Sequence, residues 1–315
     1  RLSIIDLSIK ANQPMHSNNN RYVIIYNGEI YNHLELKNEL ILNNQNVKFN
    51  SYSDTEIILE SISFWGFEKA IKKFNGMFSL CVFDKKNKSI YLSIDRMGEK
   101  PLYYGVINGN FIFASELKAI KNLSFFKEGV NKNALYQFLN YSYVPSPLTI
   151  YNNVFKIEPG QYLELKINTN DNGYSKNSYS AHKWFSFADL VNESRDDKIN
   201  DYNYAKSITT NCLKQSIERQ SISDVSLGVF LSGGIDSTLL SVLKSQISDK
   251  KIDTFTISFD EANYNEASYA KNISDYIGSN HTEILIKDKS VYEVIENLPF
   301  IYDEPFADSS QIPTT

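Results

Sequence analysis

The segment Val225 to Thr238 reads V-S-L-G-V-F-L-S-G-G-I-D-S-T, an apolar strand that runs through a Ser-Gly-Gly turn directly into a helix. Such a turn builds an anion site. Gly233 and Gly234 let backbone N–H groups approach a ligand with no Cβ in the way, and Ser232, Ser237 and Thr238 add hydroxyls at the start of a helix predicted over Thr238–Ile247. No Lys follows the glycines, so this is not the G-x-x-x-x-G-K-S/T loop that grips the β and γ phosphates for γ-transfer. Asp236 sits in the turn instead, and a carboxylate beside a polyphosphate fits Mg²⁺, an oxygen-seeking ion that bridges the two. Taken alone, the same residues also make an ordinary strand-to-helix connection.

The surroundings of that turn constrain the fold further. The pattern predicts a strand over Val225–Leu231, a strand over Ile252–Phe259, a helix over Glu266–Ile277 and a strand over His281–Ile286. Strands alternating with helices imply a parallel sheet, and ligands bind such sheets at the carboxyl ends of the strands, where Ser232–Ser237 falls. Ahead of the first strand, Tyr204, Ile208, Cys212 and Ile217 repeat at helical spacing.

The first half of the chain has a different rhythm. Arg21–Tyr26 reads as a strand ending in an Asn27-Gly28 turn, followed by a helix carrying Leu34, Leu36, Leu40 and Ile41. A second helix is predicted over Thr55–Phe64, its start marked by Ser53 and Asp54 and its apolar stripe by Ile57, Ile58 and Ile62. Met77–Asp84 and Ser89–Asp95 form a hairpin, as do Pro101–Val106 and Asn110–Ala114 across Asn108-Gly109. Strands in two layers with flanking helices make an α+β domain. Residues 168–200 turn polar around Trp184, Phe185, Phe187 and Leu190 and read as a partly docked connection. This gives an organisation of 1–167, 168–200 and 201–315.

Bulk properties exclude several classes. The net charge of -5 supplies no basic field for nucleic acid, and no run of about 18 apolar residues is present to span a membrane. Two cysteines, Cys81 and Cys212, point to a reducing cytoplasm rather than a disulfide framework, and both read as apolar packing thiols. His16, His33, His182 and His281 are dispersed without metal-ligand spacing and read as surface or strand residues.

The S-G-G-x-D-S pattern at Ser232–Ser237 resembles the PP-loop of the ATP pyrophosphatases, which cleave ATP between the α and β phosphates and adenylate a substrate. Five further segments precede it: R-L-S-I-I-D at Arg1–Asp6, Q-P-M at Gln13–Met15, N-G-E-I-Y-N at Asn27–Asn32, S-D-T-E at Ser53–Glu56 and D-R-M-G-E-K-P-L-Y-Y at Asp95–Tyr104. Together these resemble the class II glutamine amidotransferases, and their order ahead of the PP-loop is similar to that of the glutamine-hydrolysing asparagine synthetases. The resemblance implies an Ntn-type αββα sandwich followed by an α/β parallel-sheet PP-loop domain. It further implies glutamine, aspartate and ATP as substrates, Mg²⁺ as cofactor and a homodimer.

The same resemblance implies residue roles. Arg1 would clamp the glutamine α-carboxylate, and Leu2, Ile4 and Ile5 would line that pocket. Asn27 and Gly28 would form the oxyanion hole, while Glu29 and Asp54 would hold the α-ammonium. On the nucleotide side, Leu231 and Ile257 would meet adenine and ribose, and Ser232, Gly233, Gly234, Ser237 and Thr238 the pyrophosphate, with Asp236 on Mg²⁺. Asp303–Ser310, D-E-P-F-A-D-S-S, would border the acceptor site. The family's nucleophile, an N-terminal cysteine, belongs ahead of Arg1, and its S-G-E-G-x-D-E segment belongs after Thr315, so this stretch by itself is expected to be inactive. Two other readings stay open from sequence: a paralogue amidating another carboxylate such as a sugar acid, and a binding or regulatory relative without chemistry.

Overall fold

A strand buried on one face alternates, and Tyr22–Ile30 does so: Tyr22, Ile24 and Tyr26 enter a core while Ile25 and Asn27 lie exposed on the other face. The computed structural model describes residues 4–44, 47–167, 174, 178–259, 266–286, 288–312 and 314. The chain divides into two units, Arg1–Arg195 with Tyr302–Ala307, and Asp196–Ile301 with Asp308–Thr315.

In the first unit, Met15–His16 (β1) and Tyr22–Ile30 (β2) lead to three helices, His33–Asn43 (α1), Asp54–Trp65 (α2) and Phe67–Lys73 (α3). Two hairpins follow, Gly76–Asp84 (β3) with Ser89–Ile94 (β4) and Tyr103–Ile107 (β5) with Asn110–Ala114 (β6). Leu117–Lys121 (α4), Lys132–Tyr141 (α5), Val154–Lys156 (β7), Gln161–Lys166 (β8), Tyr179–Lys183 (β9) and Phe187–Glu193 (α6) complete it. The strands form one sheet in the order β1-β2-β3-β4-β8-β9 and another in the order β6-β5-β7, with every pairing antiparallel.

Three apolar clusters separate four layers. Leu36 and Leu40 of α1, Ile57, Ile58 and Ile62 of α2 and Phe67 and Ile71 of α3 pack on Ile24, Phe78, Leu80 and Val82, one face of the larger sheet. Its other face, through Leu92, Ile94 and Leu163, meets Leu102, Tyr104, Phe111 and Phe113 of the smaller sheet. The far face of the smaller sheet, through Tyr103, Ile107 and Val154, is covered by Leu117 and Ile120 of α4. Helices, sheet, sheet and helix give the expected αββα order. A fully buried residue such as Phe78 contributes roughly 2–3 kcal/mol by leaving water.

Local signals act as their chemistry dictates. Asn108 and Gly109 both take positive φ, 51° and 75°, at the β5–β6 hairpin. Ser53 caps α2 by accepting the Glu56 N–H at 3.3 Å, and Glu56 accepts the N–H groups of Asn50 and Ser51 at 2.9 and 2.7 Å. Other expectations need correction. Asn27-Gly28 is not a turn: β2 continues through it to Ile30. The stretch read as a connection contains β9, an edge strand against β8, and buried Trp184. His33 is buried at the start of α1, its Nδ1 2.9 Å from the Ile30 carbonyl.

The second unit opens with Tyr202–Arg219 (α7) and continues through Gly228–Phe230 (β10), Ile235–Ile247 (α8), Asp253–Phe259 (β11), Ala267–Ile277 (α9), Asn280–Ile286 (β12) and Asp288–Ile301 (α10). The three strands are parallel in the order β10-β11-β12. The first is shorter than Val225–Leu231, and α8 starts three residues before Thr238, so Asp236, Ser237 and Thr238 occupy its first turn. Among the described residues no helix is long and apolar enough to cross a membrane.

Candidate active site

The period of β2 turns Ile25, Asn27 and Glu29 toward the space between the two sheets of the first unit, where a cavity of about 520 Å³ opens. Its walls include Ile4, Ile5, Gln13, Asn27, Gly28 and Glu29, with Asp54 and Thr55 at the start of α2. Ser79 and Cys81 of β3 close it from behind, and Leu102 with Phe113–Glu116 from the smaller sheet. Of the eight residues expected around glutamine, six meet here; Arg1 and Leu2 lie outside the described residues.

Gly28 is required by a close approach. Its φ is +151°, and a Cβ there would sit 2.1 Å from the Met77 carbonyl oxygen and 2.6 Å from the Phe78 Cα on β3. The outer edge of β2 carries the N–H groups of Tyr26, Gly28 and Ile30 in turn. Tyr26 donates to Gln13 Oε1 at 2.6 Å and Ile30 to Asp54 Oδ2 at 3.0 Å, so protein acceptors take the two N–H groups that flank Gly28. Asn27 and Gly28 both line the cavity, and between them they carry a side-chain amide and a backbone N–H, two donors of the kind that can receive an oxyanion.

Two acids are buried beside them. Asp54 accepts from the Tyr26 hydroxyl at 2.8 Å as well as from Ile30, yet burial raises its carboxyl above the usual range. Burial first, and the charge of Asp54 second, push Glu29, a residue only 5% exposed on the cavity wall, up to about 7. Two desolvated carboxyls in one cavity resist ionising together, and a cation between them would favour their charged forms. Cys81 borders the cavity, and burial pushes its thiol up to about 12, which disfavours the thiolate that a nucleophile needs. It is also less interior than an ordinary core thiol.

Residues that local patterns did not single out also build this site. Gln13 fixes the Tyr26 N–H and donates to Thr55 Oγ1 at 3.5 Å, and its only sequence signal was membership of Q-P-M. Phe113–Glu116 gave no local signal. The D-R-M-G-E-K segment, by contrast, serves architecture. Asp95 accepts the N–H groups of Phe78, Met97, Glu99 and Lys100 at 3.0–3.1 Å, and Arg96 reaches the carbonyls of Phe74 and Lys72 beneath Trp184.

In the second unit, the Ser-Gly-Gly turn joins β10 to α8. Gly233 takes φ +86°, with Tyr269 Cβ 2.7 Å and the Ala270 nitrogen 3.1 Å from where its own Cβ would lie, so α9 packs on the turn. Ser232 Oγ and Ser237 Oγ are 2.9 Å apart, and Ser237 Oγ receives the Ser232 N–H at 3.2 Å. Gly234 caps α8 and donates to Ser232 Oγ at 3.3 Å, while Thr238 N–H bonds the Gly234 carbonyl. Asp236 is exposed in the same first turn. Leu231 is buried, with its N–H on the Phe255 carbonyl and its carbonyl on the Thr256 hydroxyl, so its backbone is already engaged; Ile257 is half-buried on β11. Among the described residues, no group of three acids, histidines or cysteines is placed to hold a metal. Asp303 and Glu304 belong to the first unit.

Comparison with known proteins agrees with this division. The family model described as a glutamine amidotransferase domain matches residues 1–180, and that described as asparagine synthase matches 209–315. A Methanocaldococcus jannaschii protein provisionally named as a glutamine-hydrolyzing asparagine synthetase is 36% identical over the whole chain, which covers 60% of that relative. Glutamine-hydrolyzing asparagine synthetase 1 of Bacillus subtilis is 32% identical over 99% of the chain, covering 46% of its length. The chain thus spans about half the length of the curated relatives it matches. An allosteric regulatory enzyme of purine biosynthesis aligns at a TM-score of 0.39 with 15% identity, covering 88% of the chain and 63% of its own, too distant to decide anything about the fold.

Proposed function

We propose, for a chain that belongs to the glutamine amidotransferase domain family and continues into an asparagine synthase domain, that its parent protein transfers the amide nitrogen of glutamine to an ATP-activated carboxylate. The single observation that carries this reading is the cavity of the first unit. There an Asn27-Gly28 donor pair stands beside two buried acids, Glu29 and Asp54. Glutamine presents the complementary groups, an α-ammonium for the acids and a side-chain carbonyl for the donors. As a nucleophile adds to that carbonyl, negative charge grows on its oxygen, and the Asn27 amide and Gly28 N–H are preorganised to receive it. Asp54, fixed by Tyr26 and Ile30, orients the ammonium end and hence the carbonyl end.

For the second unit, we assign the Ser232–Thr238 turn to the pyrophosphate part of ATP. Gly233 leaves room for a ligand only on the side away from α9, and the serine hydroxyls are free to turn from each other to phosphate oxygens. Asp236 fits Mg²⁺, since that ion takes one or two carboxylates and completes its shell with phosphate oxygens and water. When bound, the ion neutralises phosphate charge. Adenylation would make the acceptor carboxylate an electrophile for ammonia; with aspartate, its side-chain carboxylate would displace pyrophosphate from ATP to give β-aspartyl-AMP, and ammonia would then displace AMP to give asparagine. The relatives' names support aspartate as acceptor. The two cysteines, both free thiols, suit a cytoplasmic setting.

A product assay on the full-length protein tests this reading. Amide-labelled glutamine, ATP and Mg²⁺ are supplied with aspartate or with sugar acids, and labelled amide, AMP and pyrophosphate are followed. Labelled asparagine with AMP is the expected result. Label in a sugar amide would replace aspartate as acceptor, and ADP in place of AMP would sink the adenylation step.

A further inference from the structure

The cavity wall opposite β2 is the end of β6 and the turn after it, Phe113 to Glu116. β6 is an edge strand of a three-stranded sheet, so among the described residues no further strand holds that turn. Beside the packing of Leu117 and Ile120, polar contacts from far along the chain hold it. Asp303 Oδ2 accepts the Leu117 N–H at 2.5 Å, and Lys118 Nζ lies 3.2 Å from Glu116 Oε2 and 3.7 Å from Asp303 Oδ1. The neighbouring residue anchors Asp303 in turn. Glu304 accepts the Ile150 N–H at 3.2 Å and pairs with Lys156, whose Nζ also donates to the Val144 carbonyl at 2.5 Å. Ala307 N–H bonds the Ser142 carbonyl at 2.8 Å. Glu304 and Lys156 side chains are only 13% and 18% exposed, so the pair is shielded from solvent screening.

We propose that Asp303 is a positioning residue for the glutamine cavity, setting the Ser115–Glu116 wall through Leu117 and Lys118, with the Glu304–Lys156 pair holding Asp303 in place. The proposal rests on the glutamine reading above. Asp303 is not itself a wall of the cavity, so it acts on substrate only through residues that are. An acid suits the position better than a neutral acceptor, because it meets a backbone N–H and an ammonium together. The consequence is a residue beyond the amidotransferase match at 1–180 that governs glutamine use.

The test compares glutamine and free ammonia as nitrogen sources in the full-length protein, with thermal unfolding measured alongside. Asp303→Ala raises KM for glutamine about tenfold, the equivalent of one lost charge-assisted hydrogen bond, while ammonia-supported kcat and KM stay within about twofold. Asp303→Asn, which keeps the acceptor for Leu117, recovers most of that loss. Lys118→Met, at a half-exposed side chain that leaves the fold intact, raises KM for glutamine about threefold. Unchanged glutamine KM in folded Asp303→Ala or, should that variant not fold, in Lys118→Met, overturns the proposal. So does an equal loss with ammonia, which would place Asp303 at the other reaction. A wild-type protein that makes no glutamate from glutamine would instead overturn the glutamine reading, and this proposal with it.

Discussion

In the first unit the donors and acids of the cavity are held by other parts of the fold: Gln13 on Tyr26, Asp54 on Tyr26 and Ile30, Gly28 against β3. In the second unit the turn from Ser232 to Ser237 is exposed, and its hydroxyls bond one another. One cavity holds two carboxyls that burial makes costly to ionise without a cation beside them; the other site has satisfied its own hydroxyls and must release them to a ligand. Residues of the first kind are bound up with stability, and those of the second kind are separable from it. Substitutions at matched positions can break that contrast.

The largest effect belongs to Asn27. Asn27→Ala in the full-length protein should lower kcat with glutamine by roughly 10²–10³-fold, as for one oxyanion donor, with ammonia-supported synthesis unchanged. Steady-state rates with the two nitrogen sources check this. A loss shared by both would mean that Asn27 shapes more than the glutamine cavity.

Gly28→Ala comes next and tests the coupling to stability directly. The added Cβ meets Met77 oxygen at 2.1 Å, and the φ of +151° is one that L side chains rarely adopt, so β2 and β3 must part. The expected destabilisation is about 1–3 kcal/mol or more, read as a lowered unfolding temperature together with lost glutamine hydrolysis. An unmoved unfolding temperature would show that the sheet edge yields freely.

Glu29 gives a smaller, pH-dependent effect. Its folded value near 7 lies above the ordinary 4.5, so its contribution to stability is fully present below 4.5 and is lost as pH rises through 7. Binding of an ammonium runs the other way, since it needs the ionised carboxylate. KM for glutamine should therefore fall by up to about tenfold per pH unit as pH rises toward 7 and level off above it, the limit for one coupled proton. Glu29→Gln should flatten that profile; an unchanged profile would assign the titration elsewhere.

The sequence announces much of this architecture because the signals involved are local. The Asn108-Gly109 hairpin, the Ser53 cap and the β–α alternation around Gly233 depend on neighbours a few residues away. Gly28 misleads for the same reason. Asn-Gly is a hairpin signal, whereas here the glycine answers to Met77, on another strand. β9 hides because an edge strand with exposed Ser180 and Ala181 need not alternate. Gln13, Ser115 and Glu116 become site residues only when loops and strand ends meet over the cavity, which no spacing in the sequence records. Asp303 was placed with its sequence neighbours, and only the fold shows it on the other unit.

Gly234→Ala, the smallest effect in stability, is the sharpest test of the contrast. Its backbone lies at φ −68° and ψ 163°, open to any residue, and an added Cβ would have only Ser232 Oγ nearby, at 3.3 Å. Lower entropy in the unfolded chain favours Ala, while Gly is the better N-cap, and the two nearly cancel, to within about 0.5 kcal/mol. The unfolding temperature should therefore stay where it is. Pyrophosphate release should still fall, because Gly234 donates to Ser232 Oγ, and a methyl crowding that hydroxyl keeps it from turning toward phosphate. Stability and activity would then part at Gly234 and move together at Gly28. A Gly234→Ala protein with full ATP turnover would mean that the turn receives phosphate without rearranging its hydroxyls, and the contrast between a prepared and a self-satisfied site would reduce to burial alone.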